Sequence, residues 1–207
     1  MNENFQRIEK WLNDNASKIL NQSLQDPATS DEMFELEQTI GKNIPDDFKA
    51  LYVWHNGLSD DENFGSLFFG IDFFPIDRII ADYIDKKENY SSEAFPLDKS
   101  DPEIDPSNIY NEDWVKFAFD GSHTGLYLDL APSANGTYGQ IIFIDDEYSA
   151  GILVAESNTT LIANFAEDLN KNLYHLEEDA LEDGNHYLAT DPKIDIVNWE
   201  MSDRWRR

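Results

Sequence analysis

The chain has 207 residues, 41% hydrophobic and 13% aromatic, which is enough apolar material for a buried core and too much for a disordered chain. It contains no cysteine, which excludes disulfides, thiolate metal sites and cysteine nucleophiles. Forty-two acidic residues face fifteen basic ones, and the net charge of −27 repels nucleic acid and anionic membranes while steering a cationic partner toward the surface.

The opening segment MNENFQRIEKWLND is polar and amphipathic, without the apolar centre of a signal peptide, and no run approaches the ~18 apolar residues of a membrane span. The expected location is cytoplasmic. Phe5, Ile8, Leu12, Ala16 and Ile19 recur at helical spacing, and Asn21 to Pro27 breaks that helix. A second helix starts at Thr29 or Ser30. Thr29 and Glu32 have capping-box spacing, Met33, Leu36 and Ile40 form the apolar stripe, and Gly41 stands at the stop. A third helix opens on Pro45, with Asp46 and Asp47 at the positive end of its dipole. Phe48, Leu51, Tyr52 and His55 share a face, and Asn56-Gly57 ends it.

Beyond this point the period changes. FGSLFF (64–69) reads as a strand, and IDFFPI (71–76) leads into a short helix, DRIIADYIDK. Residues 89–111 are polar and hold Pro96, Pro102 and Pro106, the pattern of a long surface loop. WVKFAF (114–119), GLYLDL (125–130), GQIIFI (139–144) and GILVA (151–155) read as four strands, joined by turns at Asp120-Gly121-Ser122, around Asn135-Gly136 and over 145–150. Ser157 to about Tyr174 is the last clear helix, with Ile162, Phe165, Leu169 and Leu173 on its apolar face. Acids then crowd at Glu177, Glu178, Asp179, Glu182 and Asp183, IDIVNW (194–199) is a strand candidate, and the basic end carrying Trp205 reads as frayed. Helices, then antiparallel-type strands, then a helix define an α+β class. The expected organisation is a helical segment over 1–29, a single α+β domain over 30–175 and an acidic extension with a short basic end over 176–207.

The catalytic and metal motifs fail on chemistry. DGSHTG sets Ser122 beside His123, but it lacks the GxSxG elbow, and adjacent residues of a hairpin turn point apart. DDEYSAGILVAE (145–156) has acidic spacing suggestive of a calcium loop, yet Ala150 replaces the turn glycine and the flanks read as strands. His55, His123, His175 and His186 show no paired ligand spacing. No phosphate-cradling glycine loop occurs, and no cofactor is implied.

IPDDFKALYVWHNG (44–57) resembles the opening motif of the SUKH superfamily, which includes the fungal cell-wall assembly regulator. WVKFAFDGSHTGLYLDL (114–130) resembles its second signature, an apolar strand ending in Phe-Ala, a glycine-rich turn and a strand closing in Leu-Asp-Leu. GQIIFI and ANFAEDL (163–169) continue in order, so the resemblance spans about residues 30–175. The turn departs from the usual Gly-Asp, reading Ser122-His123-Thr124-Gly125, which suits a different partner if that turn makes contact. The resemblance implies a curved, largely antiparallel sheet with packed helices and a binding role without catalytic residues. Its first implication is an immunity protein that neutralises a cognate toxin, a cationic nuclease being a natural target for an acidic inhibitor. Its second is a regulatory interaction scaffold like the fungal regulators. The partner-binding candidates are the acids Asp60, Asp61, Glu62, Asp120, Asp145, Asp146 and Glu147, expected to be exposed, with Trp54 and Tyr127 as aromatic anchors.

Overall fold

A computed structural model describes residues 3–59, 64–90 and 94–207. The first helix, α1 (Glu3–Asn15), buries Phe5, Ile8 and Leu12, and a π-type turn over Ile19–Ser23 ends the segment where the sequence breaks. α2 (Ser30–Ile40) carries the expected capping box: Thr29 accepts from the Glu32 amide, and the Glu32 carboxylate accepts from the Thr29 amide. Gly41 ends it in the left-handed region at φ 74°. α3 (Asp46–Trp54) follows Pro45, which stands just before the helix and accepts from the Phe48 and Lys49 amides through its carbonyl.

The Asn-Gly after α3 has a tertiary purpose. Buried Asn56 accepts from the Ile76 amide at 3.0 Å and donates to Glu32 at 3.2 Å, tying α2 to the start of α4 (Ile76–Tyr90). Gly57 sits at φ 72°, and a Cβ there would lie 2.3 Å from the Pro75 nitrogen, so only glycine fits.

The main sheet has six strands, β1 (Asp72–Phe73), β2 (Lys99–Ser100), β3 (Trp114–Phe119), β4 (Thr124–Asp129), β5 (Gln140–Asp145) and β6 (Ala150–Ala155). Their order is β1-β3-β4-β5-β6-β2. All pairings are antiparallel except β2 on β6. The inner face presents Val115, Phe117, Leu126, Leu128 and Phe143 to the helices, including α5 (Asn158–Asn170) with its buried Leu161, Ile162, Phe165 and Leu169. Phe48 of α3 meets Phe117 edge-on at 5.2 Å, and Phe68 packs against Phe73 and Phe165. The fold is therefore α+β with a largely antiparallel sheet and packed helices. Among the described residues no helix is long and apolar enough to cross a membrane.

Four expectations need correction. FGSLFF is no strand: it makes one bridge at Gly65 and a tight turn with Phe69 at φ 54°, because this chain folds back against Leu188, whose carbonyl would lie 2.4 Å from a Cβ on Gly70. The proline-bearing stretch is not a simple surface loop. α4 runs to Tyr90, and from residue 94 the chain lays Leu97, Ile104 and Ile109 on the outer sheet face against Trp114, Ile142 and Ile144. IDIVNW is irregular, but it buries Ile194, Ile196 and Trp199 in the main core. The basic end is docked: Trp205 is buried and donates to the Ile194 carbonyl at 2.8 Å. Arg204 forks onto Asp168 of α5 at 2.5 and 2.8 Å, and Arg207 forks onto Asp101 at 2.8 and 3.0 Å. After α5 come β7 (Tyr174–Leu176), α6 (Glu178–Glu182) and β8 (Leu188–Thr190), with β7 and β8 pairing as a separate two-stranded sheet that joins the acidic segment to the chain before it.

Candidate partner-binding surface

The β3–β4 and β5–β6 turns meet at one end of the sheet, because Thr124 pairs with Asp145 and the Asp146 amide donates to the His123 carbonyl at 3.0 Å. Asp120 organises the first turn, its Oδ1 accepting from the Ser122 and Thr124 amides at 2.8 and 3.0 Å. His123 and Asp146 share a 2.8 Å hydrogen bond, which raises the imidazole above its ordinary pKa. Glu147 is exposed on the same turn. The β-hairpin over 145–150 has strands on both sides, unlike the helices that flank a calcium loop of that type.

Two concavities flank this end. An open groove of about 560 Å³ runs between the Asp120-Gly121 turn and the β7–β8 sheet, with Asp72, Glu177 and Asp195 along it. On the outer sheet face, between the 94–113 segment and α4, lies a smaller pocket of about 190 Å³. Its floor is Tyr127 and Ile144, one wall is Ile109 and Tyr110, the other is the Asp82, Asp85, Lys86 and Tyr90 side of α4, and Asp146 stands at the rim. Tyr127 is half-buried, and burial is the main reason its phenol is held well above its ordinary pKa, with Asp82 and Asp146 adding to it. Lys86 donates to the carbonyls of Asn111 and Trp114, and burial pushes its pKa down to about 8.

The expected site residues therefore divide. Tyr127 and Asp146 line one pocket, Asp120 lines the groove, and Glu147 sits on the turn between strands. Asp60, Asp61 and Glu62 lie outside the described residues. One expectation of exposure is corrected, that of Asp145, and the anchor candidate Trp54 is a core residue. Asp145 is buried, accepting from the Tyr148 amide at 3.0 Å and from the Trp199 indole at 2.9 Å, so it ties the hairpin to the C-terminal segment. Trp54 is also buried, stacked on Phe5 at 4.8 Å with its indole donating to Glu9 at 2.8 Å, because α1 covers the helix face that carries it. The residues missed are Asp82, Asp85 and Lys86 of α4, Tyr90, Tyr110, and the groove acids Glu177 and Asp195. Alternation marked Tyr127 as a strand residue, but nothing local in the sequence joins α4 to that strand.

A helix-backed antiparallel meander of β3 to β6, with the Asn56 tie between α2 and α4 behind it, defines an α+β domain. The chain belongs to the SMI1/KNR4 family (SUKH-1), whose family model matches residues 27–164. It is similar to the cell wall assembly regulator SMI1 of Saccharomyces cerevisiae, 23% identical over 92% of this chain and 44% of that protein. It is also similar to the glucan synthesis regulatory protein of Neurospora crassa, 24% identical over 98% of this chain and 45% of that one. A third relative is the cell wall biosynthesis/cell cycle regulator smi1 of Schizosaccharomyces pombe, 22% identical over 86% of this chain and 38% of that one. The chain thus spans less than half the length of these relatives, all three of which are named as regulators.

Proposed function

We propose that this chain is a regulatory protein-interaction module of cell-wall assembly, which works by binding other proteins and performs no chemistry of its own. The observation that carries this reading is the extent of the likeness: matches to fungal regulators run over 86–98% of the chain, well beyond the 27–164 core. The site geometry agrees with it. The polar groups of the turn end hold backbone amides or pair with one another, and the two concavities offer surface for side chains of a partner.

The test is complementation with partner capture. A fungal strain lacking its family regulator is given this chain, growth under cell-wall stress is scored, and the chain is recovered as bait at low and high salt. Restored growth, with a reproducible set of cell-wall synthesis proteins on the bait, supports the module. The net charge of −27 favours a second reading, neutralisation of a cationic toxin. That reading expects one bait-bound protein that is toxic alone and harmless when co-expressed with this chain, and no restored growth.

A further inference from the structure

The outer-face pocket brings together cations, carboxylates and aromatic rings from α4, the 94–113 segment and the sheet. Its two cations are already engaged. Lys86 points its ammonium into the carbonyls of Asn111 and Trp114. Lys116 is held by Asp82 at 3.0 Å, over the rings of Phe119 and Tyr127. Two carboxylates are less committed. Asp85 accepts from the Asn89 amide group at 2.9 Å, and no ion pair reaches it among the described residues. Asp146 is 41% exposed, and its partner is the exposed His123. At the mouth, Tyr90 and Tyr110 stack at 4.3 Å with Phe95 edge-on to Tyr110, and Tyr90 and Phe95 are 39% and 46% exposed.

We propose that this pocket receives an arginine side chain from a basic segment of a partner protein, its stem lying along Ile109 and Ile144 and its guanidinium between the tyrosine rings and the Asp85 and Asp146 carboxylates. Arginine fits this chemistry better than lysine, since its planar fork both stacks on aromatic rings and pairs with carboxylates. The volume of about 190 Å³ falls below the ~300–1,000 Å³ of pockets for drug-sized ligands and suits one side chain. Aromatic surface of this kind is what interfaces favour as anchors. The proposal rests on the reading of the chain as a protein-interaction module and names the chemistry of one contact.

The test uses the full chain and a fluorescein-labelled peptide with three arginines spaced by glycine and serine, read by fluorescence anisotropy. Its control carries citrulline at the same positions, with the same shape and no charge. The double variant Asp85→Asn/Asp146→Asn is expected to bind the arginine peptide about tenfold more weakly, and Tyr110→Leu to weaken it severalfold. The charge-matched double Glu35→Gln/Asp203→Asn, on exposed positions away from the pocket, is expected to change binding less than twofold. Circular dichroism checks that each variant is folded. The proposal is overturned by no binding of the arginine peptide, by equal binding of the citrulline peptide, or by equal weakening in the two doubles. Any of these leaves the module reading in place, because that reading is judged by complementation and partner capture.

Discussion

Replacing Trp205 by alanine asks whether the last residues are part of the core. Trp205 is 6% exposed, and its indole donates to the Ile194 carbonyl at 2.8 Å and meets Phe69 edge-on at 5.9 Å. Phe69 itself holds a left-handed backbone, so the indole packs against a residue that the chain has little freedom to rearrange. Incomplete collapse puts the cost in the upper range for large-to-small core changes, about 3–5 kcal/mol. For a chain of this size that lowers the melting temperature by roughly 6–20 °C. Arg204→Ala leaves Asp168, whose side chain is 5% exposed, without its forked partner. Because the arginine is itself a third exposed, the expected loss is nearer 1.5–3 kcal/mol, as for a charged hydrogen bond. Arg206→Ala, on an exposed side chain, should stay within about 0.5 kcal/mol. Urea and thermal unfolding followed by circular dichroism measure all three. If Trp205→Ala and a truncation after Asp203 both melt within about 2 °C of the parent chain, the tail is frayed and contributes nothing to the core.

Gly57→Ala should cost roughly 3–5 kcal/mol, since the new Cβ meets the backbone of Phe74 and Pro75. Gly121→Ala, at φ 85° with open space around it, should cost only the left-handed penalty of about 1–2 kcal/mol, and urea midpoints compare the two. Thr29→Ala removes the cap of α2 and should cost about 1 kcal/mol by the same measurement. Burial raises the pKa of the Asp129 carboxyl above its ordinary 3.8, against hydrogen bonds from the Ala131 amide and Gln140. The native state therefore takes up that proton first, and the stability of the parent relative to Asp129→Asn should rise as pH falls through the raised pKa toward 3.8; a pH-independent difference would refute it. Lys86 behaves in the opposite sense. With its pKa at about 8 against 10.5 unfolded, the unfolded chain holds the extra proton between those values, so the parent should gain stability over Lys86→Met as pH rises from 8 toward 10.5.

Local chemistry was enough to place much of this fold. The Thr29–Glu32 box, the Gly41 stop, the four meander strands and the 3.6-residue stripes of α1, α2 and α5 depend on neighbours within a few positions, so they can be read from the chain itself. The family motifs likewise pointed to an α+β domain of the SUKH kind. Tertiary structure decided the rest. FGSLFF has strand composition, but long-range contact with Leu188 turns it back on itself, and the stretch rich in prolines has a hidden set of apolar residues, too widely spaced for any local period, that cover the outer sheet face. Trp54 and Asp145 have the composition of contact residues, yet α1 covers one and Trp199 satisfies the other. The pocket that joins α4, Tyr110 and Tyr127 exists only because the sheet brings residues some forty positions apart to one face, and no periodicity in the sequence encodes such a meeting.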